Sequence, residues 1–443
     1  MSDPATTADA EPIHWTPLTR IAFRLVFCYC LLYVFCCGNV TLWKLIPFAG
    51  ETVEAWLAKP FWRPAQWLGQ HLFHLQGVSA LLHQSGSGDK PLDWIAFGLM
   101  LIVAVVAALV WTVLDRNRTE YRTLFRWFSF VLRLAISYDM LAYGLSKVFP
   151  LQMTPPSLAV LNEPVGNTSP MIMLWTLIGL SPVYEIICGI VEVCAGLLLP
   201  FRRTALLGAL LAALSMGNVV LYNFCFDVPV KLYAVHLMLL TLVVLAPDLG
   251  PLFNFLLHRR TSSHGEGMAP VTPLGRRIEA ICIAALLILG AGVMAYQDGE
   301  VYAQQRENRL HPPSITGQWH IDSAEITVNG ISTPHPLLSG GGLPITDIFF
   351  EPTGHANLRA TDRVLWRART KYDETKHTFW MTWVGQGPAD YNVSQPDPSH
   401  LVLASAGDVK NGYILHLTRV PLPQHYPLLD RGFHLINEWP FER

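Results

Sequence analysis

Charged residues make up only 14% of this 443-residue chain, against about a quarter in soluble domains. That deficit excludes a protein that is soluble throughout. The formal net charge of −2 is uninformative, and nothing in the chain suggests a nucleic-acid partner. The CxxC motif is absent, as are a Gly-rich phosphate loop and a Ser-His-Asp elbow. No cysteine follows Cys282, which denies the last third a disulfide. The eight cysteines, Cys28, Cys30, Cys36, Cys37, Cys188, Cys194, Cys225 and Cys282, all lie in apolar runs and read as small buried residues. The late histidines, from His311 to His434, have no paired ligand spacing, so no metal site is expected. A cleavable signal peptide is also lacking. The first apolar run, from Ile21, is too long for one and reads as an uncleaved span.

What the chain does have is long apolar runs. Seven stretches fit a bilayer crossing: roughly 21–46, 92–114, 127–149, 181–199, 204–225, 230–249 and 277–296. Arg20, Arg24, Arg116, Arg118, Arg122, Arg126, Arg202, Arg203, Arg259, Arg260, Arg276 and Arg277 all fall on one side of that topology. The positive-inside rule makes it the cytoplasmic side, so the chain after residue 300 is expected outside the cytoplasm. Residues 1–20 then form a cytoplasmic tail, 21–126 two helices with an outer loop, 127–250 a four-helix core, 251–276 a cytoplasmic linker and 277–296 the last span. Within the outer loop, residues 51–76 place Trp56, Phe61, Trp62 and Trp67 among polar residues, which predicts an interfacial amphipathic helix bent at Pro60 and Pro64. Residues 150–180 end in an apolar run too short to span. They predict a re-entrant lid helix opening at Ser169-Pro170.

Beyond residue 300 the pattern shortens to strands: Trp319–Val328, Ile345–Phe350, Ala356–Ala360, Val364–Thr370, Thr378–Val384, Leu401–Ala404 and Tyr413–Leu417. Turns at Pro352–Gly354 and Asn411-Gly412 support an antiparallel, all-β extracytoplasmic barrel or sandwich over 300–443. Gly317-Gln318-Trp319 resembles the Gly-x-Trp opening of lipocalin-like barrels. The aromatic tail from Arg431 to Arg443 is expected to pack on that domain or on the membrane surface.

The apolar core carries a polar spine. Asp139, Tyr143 and Lys147 repeat every four residues along one helix face, and Glu185 and Glu192 share another beside Gly189 and Gly196. Asn218, Asn223, Asp227, Lys231 and His236 follow in the next two spans. An ionised side chain at mid-membrane costs about 2.5–3.5 kcal/mol, so these groups are expected to face inward and pair. The spacing predicts a polar pocket below the lid, in which Lys147 and Lys231 meet Glu185 and Asp227, while the deeper Glu192 is expected either to be protonated or to bond Asn218. A structural ring of salt bridges is the competing reading. Pro229 is expected to open the sixth helix, and Arg133 to be an interfacial anchor.

Arg133-Leu-Ala-Ile-Ser-Tyr138 followed by Tyr143-Gly-Leu-Ser-Lys147 resembles the first helix of DoxX-like membrane proteins. Glu185, Gly189, Glu192 and Gly196 ahead of Arg202-Arg203 resemble the second. The resemblance covers about 127–250. It implies a four-helix bundle in a bacterial inner membrane and, from some members, a quinone and a membrane redox partner; no catalytic residue is carried over. The plan of bundle plus exported β-domain is also similar in layout to the vitamin K-dependent carboxylase group. Two expectations follow: a redox-linked protein binding a quinone or other small molecule in the polar pocket, or a non-enzymatic scaffold presenting the β-domain to a partner or lipid. A transporter is disfavoured because no inverted repeat is visible.

Overall fold

The structure, a computed structural model, describes residues 15–36, 42–46, 49–75, 89–257, 272–383, 386–406 and 412–430. The Arg431–Arg443 tail, Cys37 and residues 258–271 of the linker lie outside them. The chain divides into two compact units, one of residues 1–145 and 188–295, the other of 146–187 and 296–443.

The first unit is helical. Among the described residues six helices are long and apolar enough to cross a membrane, or up to seven if one bent pair counts as a span. They are α1 (Pro17–Cys36), α3 (Pro91–Leu114), α4 (Arg122–Val148), α8 (Ala205–Cys225), α9 (Lys231–Leu256) and α10 (Pro273–Leu310). The bent pair is α6 (Pro170–Gly179) with α7 (Pro182–Leu198), turned by 95° at Leu180-Ser181. Of the predicted first span, Pro17–Cys36 is helical and Leu42–Leu45 form a 3-10 turn, while residues 37–41 lie outside the described residues. The last one continues past residue 296 to Leu310, through a π-helical stretch at Leu286–Gly292. Polar residues from Gln297 onward keep a helical propensity that a hydropathy window does not see. The predicted amphipathic helix is α2 (Gly50–His71), which includes both prolines. Its Ala65 packs on Leu92 and Ala96 of α3 while Trp56 and Trp67 stay exposed.

Small residues let the helices meet at backbone distance. A Cβ on Gly144 of α4 would lie 2.7 Å from the Val193 nitrogen of α7. One on Gly196 would lie 3.0 Å from the Ser137 carbonyl, and the Ser137 hydroxyl donates to the Gly196 carbonyl. One on Gly208 of α8 would meet the Leu199 nitrogen at 2.7 Å. Hydroxyl-to-carbonyl bonds and small-residue contacts are how helices associate where lipid removes the hydrophobic drive.

In the second unit β1 (Gly317–Val328), β3 (Ile345–Phe350), β4 (His355–Ala360), β5 (Leu365–Asp373), β6 (Thr378–Trp383), β7 (Gln386–Asp397), β8 (His400–Ser405) and β9 (Gly412–Val420) pair in sequence order. Pairing of β1 with β9 closes an antiparallel eight-stranded barrel, and β2 (Ile331–Pro334) extends β1 as a hairpin. Two strands, β2 and β7, do not show in the hydrophobic pattern: β2 is exposed along its length and β7 is rich in Gly, Pro, Asp and Asn. Alternation sends Trp319, Phe350, Phe379, Met381, Tyr391, Leu403 and Leu417 inward, so large side chains pack the barrel interior. Trp319 is fully buried, donates to the Ile315 carbonyl at 2.7 Å, and lies under the Arg419 guanidinium, 4.5 Å from its ring centre.

The lid belongs to the same unit as the barrel and is latched to it. The Glu351 carboxylate accepts from the amides of Leu158 (2.8 Å) and Ala159 (3.2 Å), the first residues of the short α5 (Leu158–Leu161). Glu163 pairs with Arg363 at 2.7 Å and Arg359 at 3.4 Å, and Arg359 also reaches Asp347 at 3.0 Å. Asn162 donates to the Tyr426 hydroxyl at 2.9 Å. Predicted helix α6 is present, its Ser169 accepting from the Ile172 amide.

Two outcomes check this packing. Gly144→Ala is expected to destabilise the detergent-solubilised protein by about 1–3 kcal/mol in denaturant unfolding, because backbone and not a flexible side chain blocks the new methyl. Gly98→Ala, with open space around it, should be neutral or slightly stabilising. The latch should respond to pH. Burial pushes the Glu163 carboxyl up, but Arg363, Asn167 and Arg359 outweigh it and hold it below the usual range. Its contribution is therefore present at neutral pH and lost as pH falls through that lowered value. Glu163→Gln should raise amide exchange at residues 157–163 at pH 7, by the equivalent of about 1–3 kcal/mol, and the difference should vanish in acid.

Candidate functional site

The polar residues of the first unit fall into separate clusters. At one end of α1, Arg24 is buried and donates to the Tyr121 hydroxyl (3.0 and 2.7 Å), the Thr112 hydroxyl (3.1 Å) and the Asp115 carbonyl (2.9 Å). Tyr121 in turn donates to the Asp115 carboxylate at 2.9 Å. Arg133 is likewise more than an interfacial anchor. It is buried, and its guanidinium reaches the carbonyls of Leu199 and Pro200 at 3.4 Å, where α7 leaves backbone acceptors unpaired.

The candidate site is built from α1, α3, α4 and α9. His236 is buried, and its ring stacks on Tyr33 with centroids 4.2 Å apart and planes 5° apart. Phe97 packs beside both rings, 4.8 Å from His236 and 5.8 Å from Tyr33 between ring centres. Its Nδ1 lies 2.6 Å from the Leu232 carbonyl, one helical turn earlier, and its Nε2 lies 2.7 Å from the Tyr29 hydroxyl. A carbonyl only accepts, so the neutral ring carries its proton on Nδ1 and Nε2 takes the Tyr29 proton. Three residues before His236, the Tyr233 hydroxyl is hydrogen-bonded to Asp139 and to Tyr143. Each of these hydroxyls can donate one hydrogen bond and accept another, which makes the three groups a continuous chain. The Tyr143 and Tyr233 rings lie 5.7 Å apart. Asp139 is buried, whereas Tyr143 is 37% exposed, so the Asp139–Tyr233–Tyr143 chain leads from the interior to the surface.

The other predicted residues are distributed differently. Glu192 is buried on α7 and receives the Ser215 hydroxyl at 2.8 Å. Its expected partner Asn218 is exposed, because a further turn along α8 rotates that side chain outward. Asn223 is fully buried and donates to the Val230 carbonyl at 3.4 Å. Asp227 and Lys231 do pair, at 2.6 Å, but the Asp227 side chain is 85% exposed, so theirs is a surface bridge and not part of a buried pocket. Val230, and not Pro229, sits at the cap of α9; Asp89 accepts the amides of Lys231 (2.7 Å) and Leu232 (2.8 Å). Lys147 and Glu185 are both buried in the second unit, where the lysine charge acts on the carboxyl. Glu185 also receives the backbone amides of Met153 (2.9 Å) and Gln152, which ties the lid to the start of α7. The carbonyls of Met153 and Thr154 fit against Gly179, where a side chain would collide with them.

Sequence reasoning found Asp139, Tyr143 and His236 but missed Tyr29, Tyr33, Phe97 and Tyr233. The signal was available. Tyr29 and Tyr33 stand four apart on α1, and Tyr233 and His236 three apart on α9, so each pair shares a helix face. Among the described residues no group of three or more His, Cys, Asp and Glu side chains is placed to hold a metal ion.

No family model matches the chain, and no solved structure matches it. A curated relative does: the uncharacterized protein YwoB of Bacillus subtilis (strain 168) is 37% identical over 119 residues, which are 26% of this chain and 73% of the relative. Identity at that level over most of the smaller protein shows common membership, and the chain belongs to the family of YwoB.

Proposed function

We propose that the protein is a redox-linked integral membrane protein of the DoxX kind, whose Tyr29–His236 and Asp139–Tyr233–Tyr143 hydrogen bonds exchange protons with a quinone-like small molecule. The observation that carries the reading is a pair of neighbouring polar groups inside an apolar bundle, Tyr29 and Tyr33 on His236 and the Asp139–Tyr233–Tyr143 chain, with Tyr233 and His236 one turn apart on α9. Buried ionisable groups are costly among apolar helices, and such groups mark proton paths and ligand sites.

The orientation belongs to the proposal. Arg202 pairs with Glu279 at 3.1 Å, and Arg20 donates to the Arg118 carbonyl, so arginine-bearing ends of α1, α7 and α10 lie beside other cytoplasm-assigned segments. With the bent α6–α7 pair counted as one crossing, a count of seven supports the reading that the N-terminus lies in the cytoplasm of a bacterial cell and the barrel outside its plasma membrane.

A quinone needs donors at its carbonyls and an apolar path for its tail. Tyr143 offers the first at the exposed end of the chain, and the lipid-facing helices offer the second. When bound, a quinone accepts two electrons and two protons. With Asp139 carrying a proton, Asp139, Tyr233 and Tyr143 donate in turn toward that edge, and His236, stacked on Tyr33, holds or releases a second proton. The electron donor would be a membrane partner.

The scaffold reading draws on one observation, the filled barrel interior beside a lid latched by Glu351 and Glu163. Titration of a short-chain quinone analogue into the full chain in nanodiscs separates the two. The redox reading predicts saturable binding, weakened about tenfold by Tyr143→Phe, the ~1.4 kcal/mol of one lost hydrogen bond. Equal or absent binding in both forms would favour the scaffold.

A further inference from the structure

The outward face of the barrel carries a cleft of about 660 Å³, bordered by Gly354, His355, Arg369, Lys371, Trp380 and Asp390. That volume falls within the range of ligand sites. Its chemistry follows from strand alternation. Ala368 of β5 is buried, so Arg367, Arg369 and Lys371 project outward, successive side chains about 7 Å apart. Across the sheet His355 stands opposite Arg369, Trp380 opposite Lys371, and Asp390 opposite Trp380. The rim is a tight turn. Gly354 adopts a left-handed φ of 80°, and the Thr370 hydroxyl donates to its carbonyl at 2.9 Å.

The cations are the informative part. Three other cations of the second unit are paired with acids, Arg359 with Asp347 and Glu163, Arg363 with Glu163 and Lys376 with Asp373, and Arg419 is held by the Ser314 and Thr316 carbonyls and the Trp319 ring. Among the described residues Arg367, Arg369 and Lys371 have no acidic side chain within salt-bridge distance. Burial, then Arg367 and Arg369, hold the His355 imidazole below its ordinary range, so Arg369 and Lys371 supply the charge in the cleft at neutral pH. Two cations on one side of the cleft give it a local positive potential that favours an anionic group. Trp380 is half-buried, its flat face available to a ring, and Asp390 is an exposed acceptor.

We propose that this cleft binds an acidic saccharide, with Arg369 and Lys371 taking the carboxylate or phosphate, Trp380 stacking on the sugar ring and Asp390 accepting from its hydroxyls. An anionic membrane surface fits less well, since Asp390 would repel it and Trp380 is set into the sheet where a membrane anchor would protrude. The site is independent of the bundle cluster.

The test is titration calorimetry of the full chain in detergent with a uronic-acid disaccharide, a hexose 6-phosphate and a neutral disaccharide. At least one acidic sugar is expected to bind about tenfold or more tightly than the neutral one, with tighter carboxylate or phosphate binding identifying the anion. Arg369→Ala and Lys371→Ala, both exposed and clear of the core, should each weaken binding about tenfold. Trp380→Ala should weaken it comparably. Acidic and neutral sugars binding alike, no acidic sugar binding, or full affinity in Arg369→Ala and Lys371→Ala would overturn it. So would a preference for anionic vesicles or nucleotides over acidic sugars.

Discussion

An apolar helix bundle offers no water to a buried polar group, so each such group must find its partner inside the protein. That constraint organises the first unit. Arg24 takes two hydroxyls and a carbonyl, Arg133 takes the carbonyls beyond α7, Glu192 takes the hydroxyl of Ser215, and His236 is held between Leu232 and Tyr29. Few of these are ion pairs. Hydroxyls and carbonyls satisfy a buried charge without adding a second ion to be desolvated, and for two ions buried together the desolvation cost can exceed their mutual attraction. Close helix approach at Gly144, Gly196 and Gly208 brings such groups into range, so small residues and polar contacts are two aspects of one packing solution.

The second unit follows different rules. Its barrel has a continuous ladder and an interior packed by aromatic and aliphatic side chains. Its charged groups form true ion pairs, because at a partly wet surface Arg359 and Arg363 can hold Glu163 without full desolvation. Glu351 is the exception: buried on the barrel, it spends its lone pairs on the amides that open α5. Burial pushes its carboxyl up while those amides pull it down, and burial wins. Its ionised form therefore costs stability as pH rises, the opposite sign to Glu163. The residue is retained for the position it imposes on the lid.

Much of this was legible in the residues. Apolar runs, proline and glycine punctuation and the arginine loops located the helices, and Ser169-Pro170 marked the start of α6. Alternating hydrophobicity located most strands, but β2 has no buried side and β7 has weak strand formers, so neither stood out. Charge was the misleading guide to the site. Charged residues were expected to seek each other, which placed Asp227 and Lys231 in a pocket. In a bundle the charges near helix ends reach the exterior, as Asp227 does. Tyrosine was the better guide: its hydroxyl satisfies a buried histidine or carboxylate while its ring contributes to the core. Which of Ser215 and Asn218 meets Glu192 depends on the rotation of α8, set by packing at Gly208 and invisible to spacing alone.

The central claim is that His236 is a fixed member of a hydrogen-bonded tyrosine cluster, its tautomer chosen by Leu232 and its second nitrogen engaged by Tyr29. Solid-state nitrogen NMR of histidine-labelled protein, with the His236→Ala spectrum subtracted, reads that state directly. A neutral ring protonated at Nδ1 is expected, with an Nε2 resonance that moves when Tyr29 is replaced by Phe. A ring protonated at Nε2, or an Nε2 signal indifferent to Tyr29→Phe, would contradict it.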